Sequence, residues 1–378
     1  MRVESIPLIY YQLTVSQTSH HGHDTHAMPP QKLCDLYKKY QKMKDEAVDD
    51  DLDIVDFRRG LTTTQKEKLV PIASVPNETI SEARKVFKQQ AGPRLGSIAD
   101  SEETPACTVY EHKDFDGLRL YPNLLPPECQ FLMLSALLHR DLSNPLHKTN
   151  LHPDYDLPYP TPLRDSSHPA SFFTLPQSSK NHTFKPLNPH SNHKPLHTIQ
   201  ALQKRLRWLT LGSQYDWTTR SYPSTSPTPF PPDIASLVTT LFSNAFKPES
   251  GVVLLYSSKD YMPVHRDVSE ECARGLASFT LGCDGLFIVA RDKEGADETD
   301  DERDQEMVVL RVRSGDVVQM GGKTRFAWHA MPKILDGTGP EELESWPVGE
   351  GTPREYEKWK GFMKGKRLNI SCRQVWGE

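Results

Sequence analysis

A histidine and an aspartate separated by one residue can present two metal ligands from a single strand end. This 378-residue chain carries that spacing four times: His112/Asp114, His139/Asp141, His152/Asp154 and His265/Asp267. About one such pair is expected by chance at this length and composition, so the surroundings must choose among them. His265 and Asp267, in PVHRDVSEE, follow directly on the apolar run GVVLLYSS and its turn. His139-Arg140-Asp141 has the order of a kinase catalytic loop, but the asparagine five residues beyond the aspartate, a Gly-rich loop and a DFG triplet are all missing. It reads as the polar end of a helix. His152/Asp154 falls in a stretch without periodicity, and His112/Asp114 has no distinguishing context.

Further on, RFAWHAMPKI places His329 at the end of another predicted strand, 64 residues after His265. Two histidines and one carboxylate make a facial triad, a donor set suited to Fe(II) that leaves open positions for co-substrates. The last predicted strand, RLNISCRQV, puts Arg367, Asn369 and Arg373 at positions of one parity, hence on one face. Two arginines facing a core are costly unless they meet anions, and a dicarboxylate matches guanidinium forks well. An edge strand with a solvated basic face is the alternative. Combined with a metal triad in the same sheet, the inward orientation is favoured.

These residues need short strands to hold them, and from Gly251 onward the chain supplies them. GVVLLYSS, LASFTLG, GLFIVAR, MVVLRV, DVVQMGG, RFAWHAM and RLNISCRQVW are apolar, β-branched or aromatic runs separated by Gly, Ser and Asp. They predict an α+β fold whose core is a jelly roll (double-stranded β-helix) with flanking helices. The acidic DKEGADETDDERDQE between two strands lacks the fixed ligand spacing of a calcium loop and reads as a solvated connection. Upstream, residues 1–113 read as an N-terminal extension: a disordered tail containing HHGHDTH, then amphipathic helix over KLCDLYKKYQKMKDEA and ISEARKVFKQQAG. Residues 114–378 form the main domain, in which PNLLPPECQFLMLSALL predicts a turn followed by a helix with Pro127 in its first turn. Residues 144–200, rich in Pro, His, Ser and Asn, read as a long, partly disordered insertion.

Composition excludes several classes. A net charge of −5 argues against a protein that coats nucleic acid by bulk electrostatics, although a local basic groove is compatible with it. Six scattered cysteines without a C-x-x-C speak against a zinc ribbon or a secreted disulfide framework and for a reducing compartment. No apolar run reaches the ~20 residues of a membrane span, and MRVESIPLIYYQLTV lacks a signal-peptide cleavage pattern. The expected location is nucleus or cytoplasm, with the mitochondrion open as a third place, and the expected state a monomer.

Taken together, H-x-D, a distal histidine and R-x-N-x-S-x-R closing the domain resemble the AlkB-type Fe(II)/2-oxoglutarate dioxygenases, most closely the eukaryotic AlkB homologue 1 branch. The resemblance covers most of 201–378, through LRWLTLGSQYDWTTRSY, TPFPPDI, VVLLYSSKDYMPVHRDVSE, SGDVVQMGGKTRFAWHAMPKIL and RLNISCRQV, and PNLLPPECQ extends it upstream. It implies that His265, Asp267 and His329 ligate iron. It further implies that Arg367 binds the distal carboxylate of 2-oxoglutarate, Arg373 the end near the metal, and Asn369 and Tyr256 add hydrogen bonds. Leu254 stands where such proteins often carry asparagine, so one co-substrate hydrogen bond is expected to be absent. The implied reaction consumes O2 and 2-oxoglutarate, forms succinate and CO2, and removes the N-methyl group of 6-methyladenine or 1-methyladenine as formaldehyde.

A base inside a duplex cannot reach such a centre, so the substrate is expected to be single-stranded, looped or flipped RNA or DNA. Trp208, Tyr215, Trp217 and Tyr222 are candidate stacking residues; core packing suits Trp208 at least as well, and Tyr215 and Trp217, in the Gly-Ser-Gln-rich turn, are favoured. Glu270, close behind the H-x-D pair, is a candidate substrate contact. Arg205, Arg207, Arg220, Lys364 and Lys366 are candidate phosphate contacts, and for each a solvated basic surface is the plain alternative. Two rival functions share parts of this pattern: a dioxygenase acting on protein or lipid, and a nucleic-acid-binding module with a degenerate site.

Overall fold

The apolar runs form strands, as short stretches rich in β-branched and aromatic residues should. In chain order they are β1 (Ile54–Val55), β2 (Leu69–Val75), β3 (Cys107–His112), β4 (Leu118–Tyr121), β5 (Tyr155–Asp156), β6 (Thr183–Pro186), β7 (Leu196–His197) and β8 (Trp208–Gly212). They continue as β9 (Ser250–Ser257), β10 (Met262–His265), β11 (Leu276–Gly282), β12 (Gly285–Asp292), β13 (Gln305–Val312), β14 (Val317–Met320), β15 (Trp328–Ile334) and β16 (Lys366–Arg373). The structure, a computed structural model, describes residues 21–24, 27–91, 97–98, 105–161, 170–216, 219, 221–223, 227–243, 246–293 and 304–377.

An eight-stranded sheet in the order β2-β3-β4-β14-β11-β16-β9-β8 faces a five-stranded sheet in the order β1-β13-β12-β15-β10. Pairing in both is antiparallel apart from the short β1 beside β13. This is the expected jelly-roll core. Helices flank it: Asn77–Gln90, Pro127–Ser135 and Pro232–Leu241 contribute Phe87, Phe131 and Leu237 to the apolar layer that also holds Phe279, Leu281 and Ile370 of the large sheet. Between the sheets lie Tyr256, Leu276, Val289, Leu310 and Met331. On the outer face of the small sheet, Leu33 and Tyr40 of helix Gln31–Lys42 meet Ile288 and Trp328.

β16 runs between β11 and β9, so its ladder is occupied on both edges. The edge-strand alternative for Arg367, Asn369 and Arg373 is thereby excluded; all three are buried.

Two expectations about organisation differ from what is observed. The boundary between residues 113 and 114 falls inside the large sheet, where β2, β3 and β4 are consecutive neighbours, and β1 joins the small sheet. Residues 144–200 are not a disordered insertion where they are described. Leu151, Tyr155, Phe172, Phe173 and Phe184 are buried in the main core, and β5, β6 and β7 form a small sheet of their own. Apolar anchors carried by turns and two- to four-residue strands need no periodicity, which is why the sequence pattern is silent there. Residues 162–169 lie outside the described residues.

Candidate active site

β10 and β15 are antiparallel neighbours, and their register sets His265 opposite His329. That pairing, across a single ladder step, explains how residues distant in sequence come together. Asp267 lies just past the end of β10, and one donor atom from each of the three residues falls within 4.8 Å of the others. The imidazole centroids are 4.2 Å apart, and His265 Nε2 stands 3.9 Å from Asp267 Oδ1.

Each histidine is oriented by its own backbone. His265 Nδ1 lies 2.9 Å from the Pro263 carbonyl and His329 Nδ1 3.1 Å from the Ala327 carbonyl. A carbonyl only accepts, so Nδ1 carries a proton and donates in both rings, and Nε2 is the nitrogen each ring has left to offer a metal. Backbone carbonyls holding ligand tautomers in this way are the usual support of metal-binding histidines. Burial, reinforced by the neighbouring His265, pushes His329 down to about 4 against the pull of Asp267, so it is neutral at pH 7. Burial alone would raise the Asp267 carboxyl. Arg373, with His329 and His265, outweighs it and holds Asp267 well below the usual carboxylate range. Two imidazoles and one carboxylate fit a divalent iron.

The arginines of β16 divide the labour. Arg373 Nη1 donates to Asp267 Oδ2 and to Glu270 Oε1, each at 2.9 Å. Arg367 is 2% exposed and donates from Nη2 to Thr280 Oγ1 at 2.9 Å, while its Nε and Nη1 have no partner. Burial lowers it to about 10. Its guanidinium lies 5.6 Å from the Tyr256 ring. Gly285 leaves room beside it, since a Cβ there would come within 3.2 Å of Arg367 Nε and 2.6 Å of Met331 Sδ. A buried cation with unused donors and a cleared flank fits the carboxylate of a co-substrate.

Other assignments need adjustment. Asn369 is on the same strand face, but its Nδ2 donates to Ser278 Oγ at 2.7 Å and to the Phe279 carbonyl at 2.9 Å. Both amide donors are used within the sheet, and none is left for the co-substrate. Leu254, its ladder partner, packs against the apolar layer between the sheets. Glu270 is not an exposed turn acid poised for substrate. It is 1% exposed, accepts from Arg325 Nη2 at 3.0 Å and from Arg373 Nη1, and receives the Tyr222 hydroxyl at 3.3 Å. Burial opposes its ionisation, but Arg373 and Arg325 overcome that and lower its carboxyl.

Arg325 is a site residue that carries no signal in the sequence. It is fully buried and donates to the carbonyls of Arg274 and Asp267, both at 3.0 Å, as well as to Glu270. It thus ties the loop that carries Asp267 to the segment just before β15. A single arginine four residues ahead of His329 has no periodic signature; only the pairing with Glu270 identifies it.

Beside this network, the Tyr215 hydroxyl is 3.4 Å from Ser269 Oγ, and its ring meets Tyr222 edge-on at 5.2 Å. Trp376 adds a third ring, 6.3 Å from Tyr222. Half-buried Tyr215 is therefore brought to the loop behind the triad, whereas Tyr222 is buried. Trp217 and Arg220 lie outside the described residues. The other H-x-D pairs are structural: His112 Nδ1 accepts from the Asp114 amide, His139 stacks on Trp346, and His152 Nε2 meets the Tyr159 hydroxyl. From HHGHDTH, His21 and His23 rest against Phe326. Among the described residues, His265, Asp267 and His329 are the only cluster able to hold a metal ion.

Residues 157–373 match the family described as the 2OG-Fe(II) oxygenase superfamily. Among curated proteins, the chain is 37% identical over 361 residues to the N6-methyladenosine RNA demethylase ALKB1 of Pyricularia oryzae, covering 93% of this chain and 97% of that protein. It is 44% identical over 228 residues to the N6-methyladenosine RNA demethylase ALKBH of Cryphonectria parasitica, covering 60% of this chain and 99% of that protein. A third relative is the tRNA demethylase abh1 of Schizosaccharomyces pombe, 31% identical over 79% of this chain and 91% of its own length.

Proposed function

Because the chain belongs to the AlkB homologue 1 branch of the 2OG-Fe(II) oxygenase superfamily, we propose that it is an oxidative demethylase of N-methyladenine in RNA, with 6-methyladenine as the leading mark. The observation that carries this reading is the convergence of His265, Asp267 and His329 beside the unpartnered donors of Arg367. Its relatives named as RNA demethylases support the substrate class.

His265 Nε2, His329 Nε2 and an Asp267 carboxylate oxygen would hold iron. With iron bound, the site supplies the chemistry of this superfamily: 2-oxoglutarate and O2 are converted to succinate and CO2 while a methyl carbon is hydroxylated and leaves as formaldehyde. The chain's own residues bind and orient. Arg367 takes the distal carboxylate of 2-oxoglutarate, beside the buried Tyr256. Arg373 fixes Asp267 from behind, and Glu270 and Arg325 fix Arg373 and the loop. Tyr215 stands where an unstacked base would meet an aromatic ring.

The test mixes purified protein, Fe(II), ascorbate and 2-oxoglutarate with methylated RNA and DNA oligonucleotides and quantifies nucleosides by mass spectrometry. Loss of 6-methyladenine from RNA together with succinate formation is expected. Succinate formation with no loss of methyladenine from any oligonucleotide sinks the substrate assignment and favours a dioxygenase of another substrate.

A further inference from the structure

The chain is acidic overall, with a net charge of −5, yet residues 144–207 carry eight Lys and Arg against three Asp. The fold concentrates part of that excess along one border of the large sheet. β8 is the last strand of the sheet. Residues 148–150 close its outer side: the Thr210 amide donates to the Lys148 carbonyl at 2.9 Å, Thr149 bridges Leu209, and the Asn150 amide donates to the Trp208 carbonyl at 3.4 Å. Asn150 also holds the turn before β8, with Nδ2 on the Arg205 carbonyl and Oδ1 on the Arg207 amide, both at 2.8 Å.

Lys148 therefore stands opposite Thr210, and the pair Lys204/Arg205, at the end of the helical turn before β8, stands beside Asn150, two strand residues or roughly 7 Å along the same border. All three side chains are exposed, and none is paired with a carboxylate among the described residues. Arg207, in contrast, is already ion-paired, with Asp260 at 3.4 Å. At its Lys148 end the border reaches the active-site mouth. The Lys148 amide donates to Gln214 Oε1 at 2.9 Å, and the next residue, Tyr215, meets Ser269, two residues beyond Asp267.

We propose that Lys148, Lys204 and Arg205 form a track for the sugar–phosphate backbone of single-stranded RNA flanking the target base. The track rests on the demethylase reading above and extends it, because it makes long substrates better than short ones. Cations aligned on a closed sheet border hold a polyanion without reading its sequence. The segment 144–207 thereby both seals the sheet edge and turns its excess charge toward the nucleic acid.

The test compares the wild-type protein with the triple variant Lys148→Ala/Lys204→Ala/Arg205→Ala and a charge-keeping control, Lys148→Arg/Lys204→Arg/Arg205→Lys. Binding of an unmethylated 20-nucleotide RNA is followed by fluorescence anisotropy across a salt series. In parallel, kcat/KM is measured for a methylated 20-mer and for a methylated trinucleotide. For the triple variant, the slope of log affinity against log salt should shrink by about 2, three contacts at about 0.7 each. Its ratio of long- to short-substrate kcat/KM should fall about tenfold or more, and the control should keep both properties. An unchanged slope and length ratio, or a wild-type protein that does not bind the 20-mer, overturns the track. RNA binding that weakens in the variant although the wild type demethylates neither oligonucleotide supports the track and refutes the demethylase reading instead.

Discussion

Replacing Arg367 with methionine should stabilise the co-substrate-free protein and, in the same step, remove most of its response to 2-oxoglutarate. The side chain is fully enclosed, has one hydrogen bond to Thr280 and leaves Nε and Nη1 without partners. Burial holds its guanidinium at about 10 instead of 12.5, which corresponds to roughly 3 kcal/mol of unfavourable burial of the charged form. Near pH 7 the group is protonated both folded and unfolded, so the whole amount weighs against the fold. Methionine fills a similar volume and removes that cost; the lost bond to Thr280 returns about 1 kcal/mol of it. The net expectation is a gain on the order of 2 kcal/mol, read as a raised urea midpoint in buffer containing a chelator. With both proteins already loaded with Mn(II), adding 2-oxoglutarate under nitrogen at about one hundred times its wild-type dissociation constant should add about 2.7 kcal/mol to the wild type and far less to the variant. A variant less stable than wild type by about 1 kcal/mol or more without ligand, or one that gains as much from 2-oxoglutarate as the wild type does, refutes the view of Arg367 as a strained carboxylate receptor.

His265→Ala should lose metal binding and demethylation together, measured as bound Mn(II) after desalting and as product formed; full activity would remove the triad assignment. Glu270→Leu leaves Arg325 and Arg373 buried without their shared acid and should cost about 3–5 kcal/mol in urea unfolding. Adding Arg325→Met to that variant should recover a large part, and a single-variant loss below about 1 kcal/mol would show that the network is dispensable. Burial depresses His112 to about 4 and His139 to about 3, so both are neutral in the fold while the unfolded chain protonates near 6.5. Their contribution is therefore complete above about pH 6.5 and declines as pH falls toward about 4, on the order of 3 kcal/mol each. Unfolding midpoints between about pH 7 and 4 should show this slope, and His139→Phe should flatten it; an equal slope in that variant would count against the assignment.

The parts of the site that can be read from sequence are those whose signal lies in spacing. His265 and Asp267 close a strand-like run, and the parity of Arg367, Asn369 and Arg373 announces one face of β16. Register then supplies what spacing cannot: the pairing of His265 with His329. Glu270 is misread from sequence because a lone acid in a turn looks the same whether it meets solvent or two buried arginines. Arg325 is invisible for the complementary reason, since its partners come from the carbonyls of another loop. Asn369 lies on the expected face, but its donors are taken by β11, a competition visible only once the neighbouring strand is known. The described residues of 144–200 hide their order because Phe172, Phe173 and Phe184 anchor turns and short strands, where neither helical nor strand periodicity can develop.

The buried charges explain why the site can fold before it is loaded. Asp267 and Glu270 face Arg373 and Arg325, two anions against two cations, joined by bonds of 2.9 to 3.0 Å. Iron(II) brings two positive charges and 2-oxoglutarate two negative ones, of which one meets the metal and the other goes to Arg367. Among the described arginines of the site, Arg367 alone has no carboxylate bonded to it, and it lies near the opposite end of β16 from Arg373. The metal end is thus neutralised in advance and its geometry fixed by the protein, whereas the distal end keeps an unmet demand for an anion. A monocarboxylate able to chelate the metal but lacking a distal carboxylate would leave that demand in place. Pyruvate should therefore bind far more weakly than 2-oxoglutarate to the wild type, and the two should become nearly equal in Arg367→Met. If the preference survived in the variant, the discrimination would lie at the metal end, and the division of labour between the two arginines would be wrong.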